Sequence, residues 1–198
     1  MIFQYCIGID YGSKLAGTTS VCFIEDATIQ FVRSAKKQDA DAMIEALIGE
    51  MRPKWVAIDA PLSLPGVYSG VPGCTHYFYR HCDQLTNAMS PMFIGGLTAR
   101  AMQLKNRLNE GAEQWLEVYP VKRGKELGLE RFGYRQKGAD MAKIIHELQP
   151  LFPNITLEPK AVQSAHDLDA LLALEIGLRC SRGQAQHLGQ TEEGLIYY

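Results

Sequence analysis

The chain has 198 residues, of which 46% are apolar and 21% charged, and a formal net charge of −2. That is enough apolar material for one packed domain, 1–198, with room for an elaborate insertion. The slightly acidic balance excludes a protein that coats nucleic acid by bulk positive charge, but not an enzyme that meets it through a local patch.

No apolar run approaches the roughly 20 residues of a membrane helix, and no basic leader precedes the first strand-like segment. The expected location is therefore cytoplasmic, without membrane contact. Five cysteines, at positions 6, 22, 74, 82 and 180, do not form a disulfide framework and are expected as free thiols.

In chain order, residues 4–10 are short, apolar and β-rich, and residues 11–14 form a turn. Residues 18–25 and 28–33 read as two further strands joined tightly, which suggests an antiparallel meander. Met43, Ile44, Leu47, Ile48 and Met51 then fall on one helix face. Asp39 is the expected N-cap, and Pro53 ends the helix. Residues 54–59 are a fourth strand, and a crossover helix before it predicts a parallel pairing beside the first.

Residues 61–96 hold four prolines and many glycines. They are expected as a long irregular insertion with one short helix around 77–87, and loops of this length are uncommon unless functional. A helix at 98–109 with Gly111 as its stop, a fifth strand at 115–119, and short helices at 121–127 and 140–151 follow. A long helix spans about 165–182, and an apolar segment closes the chain at 194–198. The fold class is α/β: a mixed five-stranded sheet flanked by helices, with the insertion after the fourth strand.

Acidic residues sit at revealing places. Asp10 ends the first strand, Asp59 ends its expected neighbour, and Glu117 lies between Leu116 and Val118 in the fifth. Carboxylates gathered among apolar residues repel one another unless a cation lies between them, and Mg²⁺ or Mn²⁺ suits hard oxygen ligands. His166 and Asp169, three apart, share a face at the start of the last helix. Bland alternatives stand beside each. Asp10 could cap Gly12 or Ser13, Asp59 could simply end a strand, and Glu117 could face solvent from an edge strand. Asp167 is a candidate ligand, yet Ser164-Ala-His-Asp167 also fits a capping box.

Cationic candidates for substrate contact are Lys14, Arg80, Lys122 and Arg123. Arg80 could clamp a phosphate or pair with Asp83. From 120 to 143, seven basic residues face three acidic ones, a surface suited to a nucleic-acid backbone. Cys74, His76, His81 and Cys82 could in principle bind zinc, though their spacing is not that of a standard finger.

These stretches resemble the domain of unknown function 429 family, regarded as predicted RNase H-like nucleases. The resemblance rests on Ile7-Gly-Ile-Asp10, Val56-Ala-Ile-Asp-Ala-Pro-Leu-Ser-Leu-Pro65, Arg80-His-Cys-Asp83, Glu117-Val-Tyr-Pro120, His166-Asp-Leu-Asp-Ala170 and Glu193-Gly-Leu-Ile196. Asp10, Asp59, and His166 with Asp169 are also similar to the acidic sites of Holliday junction resolvases. The chain departs from resolvases in its low basicity and its insertion.

The resemblance implies an RNase H-like fold and two-metal hydrolysis of a nucleic acid of unspecified type. Asp10 would bridge two ions, and Asp59 and Asp169 would hold one each. His166 would orient water or move a proton, and Glu117 would be a further ligand or a base behind the ligands. The alternatives are a non-catalytic binding module for nucleic acid or protein, and an actin-like or sugar-kinase-type phosphotransferase suggested by Asp10-Tyr-Gly-Ser-Lys14. The latter needs a second such domain and hence a homodimer.

Overall fold

A computed structural model describes residues 5–108, 112 and 114–198. Its centre is a five-stranded mixed sheet in the order β3-β2-β1-β4-β5. β1 (Cys6–Asp10), β2 (Ser20–Glu25) and β3 (Thr28–Arg33) form the expected antiparallel meander. β4 (Trp55–Asp59) lies parallel to β1, and β5 (Gln114–Glu117) lies parallel to β4. Both parallel pairings require crossovers. The first is α1 (Ala40–Met51), capped by Asp39, whose side chain accepts from Asp41 N–H and Ala42 N–H. It ends at Met51, two residues before Pro53, with the intervening Arg52 left-handed.

The second crossover contains the insertion. A 3₁₀ turn (Gly66–Ser69), α2 (His81–Thr86) and α3 (Gly95–Arg107) punctuate it. The short helix is narrower than the sequence suggests, and α3 starts three residues earlier, after Ile94. Its expected end at Asn109 and Gly111 falls outside the described residues, as does Gln4. After β5 come α4 (Pro120–Glu126), α5 (Met141–Leu148) and α6 (Ala165–Ser181). The closing apolar segment is β7 (Gly194–Tyr197), which pairs antiparallel with β6 (His187–Gln190).

Strand parity assigns the two faces. Ile7, Ile9, Val56 and Ile58 pack with Ile44 and Ile48 of α1 and Ala101 and Leu104 of α3. The opposite face takes α6. There Gly8 permits an unusually close approach: a Cβ on it would sit 2.2 Å from the Leu174 amide nitrogen and 2.3 Å from the Ala170 carbonyl oxygen. Any side chain at position 8 would force helix and strand apart. This contact lowers the first turns of α6 onto the carboxyl ends of β1 and β4. Among the described residues, no helix is long and apolar enough to cross a membrane, and the five cysteines are free.

Candidate metal centre

In the β1–β4 register Asp10 stands directly opposite Asp59. Residues paired in register on adjacent strands present their side chains to the same face, here the face covered by α6. Asp169 enters from α6, and one carboxylate oxygen from each of Asp10, Asp59 and Asp169 lies within 4.8 Å of the others. Among the described residues this is the sole cluster of three or more His, Cys, Asp or Glu groups with that convergence.

The alternative that Asp10 merely caps its own turn is not what the fold shows. Thr19 Oγ1 accepts from Gly12 N–H and Thr18 Oγ1 from Ser13 N–H. Asp10 Oδ2 instead meets His166 Nδ1 at 2.6 Å. Asp169 accepts from the Tyr134 hydroxyl and from Arg135 Nη1, each at 2.5 Å. Asp59 has no hydrogen-bond donor among the described residues. Burial, with the Asp10 and Asp169 charges beside it, pushes Asp59 well above the ordinary carboxylate range. Burial also pushes Asp169 up to about 6, with Asp10 adding to the rise and Arg135 and Tyr134 opposing it. The hydrogen bond to Asp10 raises His166 above its usual value. Three oxygens held together, one of them without a donor, fit a hard divalent cation.

The triad separates two cavities. One, of about 180 Å³, runs from Asp10 and Asp59 past Arg80, Asp83 and Glu117 toward Met89, Ile94 and Leu97 of the insertion. The other, of about 300 Å³, is lined by Asp10, Asp59, Arg135, His166 and Asp169. The triad is thus reachable from two sides, one walled by the insertion and one by Arg135 and α6.

Several expected site residues lie elsewhere. Glu117 lines the first cavity with Asp10 and Asp59 and its charge adds to the rise of Asp59, but it does not join the three-carboxylate cluster, because the register pairs it with Ile58 rather than Asp59. One residue of offset turns its side chain to the opposite face. Nor does it face solvent: it is buried and accepts from Arg80 Nη1 at 2.7 Å, Arg80 Nη2 at 2.5 Å and Leu62 N–H at 2.8 Å. Arg80 is fully buried and cannot clamp a phosphate. It holds Glu117 on one side and Asp83 on the other, at 2.6 Å, with Ser63 Oγ accepting a further bond. Glu193, which the sequence reading did not single out as a site residue, ties this cluster to the insertion by accepting from Gly66 N–H and His81 N–H.

Asp167 is a cap and not a ligand. Its carboxylate accepts from Gln163 N–H, Ser164 N–H, Ser20 Oγ and Arg33 Nε. Burial pushes its pKa up, but those donors more than offset it and the value is lowered. Arg123 spends both Nε and Nη2 on Glu175 of α6, each at 2.9 Å. Lys122 sits 4.1 Å from the Tyr198 ring centroid and 3.8 Å from Glu126. Lys14 pairs with Asp39 at 3.0 Å. Lys14, Lys122 and Arg123 line neither cavity beside the triad. Of the basic run, Arg131 and Lys143 also carry carboxylate partners, so most of its charge is neutralised locally. Arg135 is the member that reaches the triad, and its position in that run was its only signal in the sequence.

Two further alternatives lose support. The zinc set is not gathered to metal-ligand distance among the described residues: Cys74, His76 and His81 line one pocket, but His76 Nδ1 accepts from Phe78 N–H and Tyr79 N–H, and Cys82 is buried against Asp83. The phosphate-turn reading of residues 10–14 needs free amides, and those of Gly12 and Ser13 are bound to threonines. Comparison of the chain with protein-family models, curated proteins and solved structures returned no match.

Proposed function

We propose that the chain is a metal-dependent nuclease with an RNase H-like arrangement, hydrolysing phosphodiester bonds of nucleic acid at Asp10, Asp59 and Asp169. The observation that carries this reading is the convergence of three carboxylates within 4.8 Å at the ends of two parallel strands and on α6. Strand order, with a meander beside two parallel strands, supports the same reading. Mg²⁺ or Mn²⁺ bound there would supply activated water and stabilise charge on the leaving oxygen.

The chain's own residues supply the rest. Asp10, Asp59 and Asp169 bind and orient the cation. His166, half exposed and hydrogen-bonded to Asp10, holds a proton at Nδ1 in that contact and places its second ring nitrogen to exchange one with the substrate side. Arg135, half exposed and paired with Asp169, presents remaining guanidinium donors toward an incoming phosphate.

The test is incubation with labelled single-stranded, duplex, RNA–DNA hybrid and branched nucleic acids in Mg²⁺ or Mn²⁺, beside Asp10→Asn. The expected result is divalent-dependent cleavage of at least one substrate, reduced about 10³-fold in the variant, since metal charge stabilisation is worth several kcal/mol at 1.4 kcal/mol per decade. No cleavage of any substrate, or equal cleavage by the variant, would contradict the proposal.

A further inference from the structure

Between Asp59 and Arg100 the only Asp, Glu, Lys or Arg residues are Arg80 and Asp83. Both are buried and paired with each other. The outer face of the insertion is therefore built without formal charge from these residue types, in a chain that is 21% charged overall. It is also where the apolar surface lies. Of the eight large apolar side chains exposed among the described residues, six belong to the insertion: Tyr68, Tyr77, Phe78, Leu85, Met89 and Phe93.

The aromatic members form two sets of touching rings. Phe93 is 62% exposed, and its ring lies 5.7 Å from those of both Phe78 and Tyr79. Tyr68 and Tyr77 meet edge to face at 5.9 Å. The Phe78–Phe93 set is anchored from beneath: Ser90 Oγ donates to Phe78 O, His76 Nδ1 accepts from Phe78 N–H and Tyr79 N–H, and Thr98 Oγ1 donates to Pro91 O. Such anchoring fixes the rings without covering them. Contiguous exposed rings on a supported backbone mark a contact surface.

Position selects the occupant. Met89 and Ile94, which flank Phe93 in sequence, line the same cavity as Asp10 and Asp59. The uncharged ring surface thus lies next to residues that wall one cavity at the acidic site, while Arg135 lines the second cavity. A ligand with neutral aromatic groups on one edge and phosphates on the other matches that polarity. We propose that the insertion is a stacking platform for unpaired nucleobases, with Phe93 and Phe78 as its principal rings, so that the substrate is single-stranded where it enters the site. Base-on-aromatic stacking is tolerant of sequence and requires bases that are not already paired. This inference rests on the nuclease reading above, whose substrate class it specifies.

The test is binding, measured without cleavage. Fluorescence anisotropy of a labelled 20-nucleotide oligo-dT, an abasic oligomer of equal length and a blunt duplex is followed in EDTA. Wild type is compared with Phe93→Ala, Phe78→Ala and Phe93→Trp, with thermal melting to confirm folding. The expected result is that oligo-dT binds at least tenfold better than the abasic strand and the duplex. Each alanine variant should weaken oligo-dT binding about tenfold, and Phe93→Trp should retain it. Equal binding of oligo-dT and abasic strands, unchanged binding by the folded alanine variants, or no oligo-dT binding by the wild type would overturn the platform. A change confined to self-association in sedimentation would also overturn it and assign the rings to contact between copies of the chain. Ring-dependent binding without any divalent-dependent cleavage would leave the platform standing and remove the nuclease reading; ring-independent cleavage of duplex would do the reverse.

Discussion

Two groups of carboxylates occupy opposite faces of one sheet, and their surroundings assign them opposite roles. On the α6 face, Asp10, Asp59 and Asp169 lie within 4.8 Å of one another, with His166 and Arg135 touching two of them from half-exposed positions. On the other face, Asp83 and Glu117 hold one buried arginine between them. The second group is already a closed ion network. Its stability depends on Arg80, because either carboxylate left alone would be a buried unpaired charge. The first group lacks a central cation among the described residues, so its mutual repulsion is relieved by protonation or by a metal. The comparison teaches that an acidic residue in a core strand becomes a ligand only when its neighbours leave it a vacant oxygen. Register decides which neighbours it meets.

Four substitutions or conditions would sharpen that contrast. The largest effect is expected for Arg80→Ala, which strands Glu117 and Asp83. Chemical denaturation should show a loss of about 3–5 kcal/mol, and a loss below about 1 kcal/mol would mean the network is not closed as described. Asp167→Ala removes the acceptor of two helix-start amides, Ser20 and Arg33. It should cost about 2–3 kcal/mol while leaving Mn²⁺ affinity unchanged; a tenfold loss of affinity would make Asp167 a ligand after all.

Asp59→Asn should act in the opposite sense. Removing one of three repelling carboxylates should raise the metal-free melting temperature by about 2–4 °C, corresponding to about 1 kcal/mol. A lower melting temperature would show that the triad is not strained.

The smallest effect is a pH slope. Asp169, at about 6, and Asp59, raised well above the usual range, bind protons in the folded chain at pH values where unfolded aspartates, near 3.9, do not. Stability in EDTA should therefore fall as pH rises from about 4 through 6, by on the order of 1 kcal/mol. The lowered Asp167 works in the other direction only below the ordinary carboxylate range. A metal-free stability that rises through this window would contradict the assignment.

Much of this was legible in the sequence because it depends on local rules. The Asp39 cap, the stop before Pro53 and the Ser164–Asp167 capping box follow from side chains within a few residues of the backbone groups they satisfy. The pairing of β1 with β4 followed from a crossover helix, and it brought Asp10 opposite Asp59. What was not legible depends on register and distance. Nothing local reveals that Glu117 aligns with Ile58 and so faces away, or that Arg80, 37 residues earlier, fills the space against it. Tyr134 and Arg135 approach Asp169 from a segment whose composition suggested a basic surface for a nucleic-acid backbone but no contact with a particular carboxylate. The β6–β7 hairpin was half seen, because His187–Gln190 is polar and largely exposed and carries no strand pattern.

The central claim is that Asp10, Asp59 and Asp169 form one cation site while Asp83, Glu117 and Asp167 do not. A calorimetric titration of Mn²⁺ into wild type, Asp59→Asn and Asp167→Ala tests it most directly. Saturable binding by wild type and Asp167→Ala, lost in Asp59→Asn, is the predicted result. No binding by the wild type, or equal binding by Asp59→Asn, would contradict it.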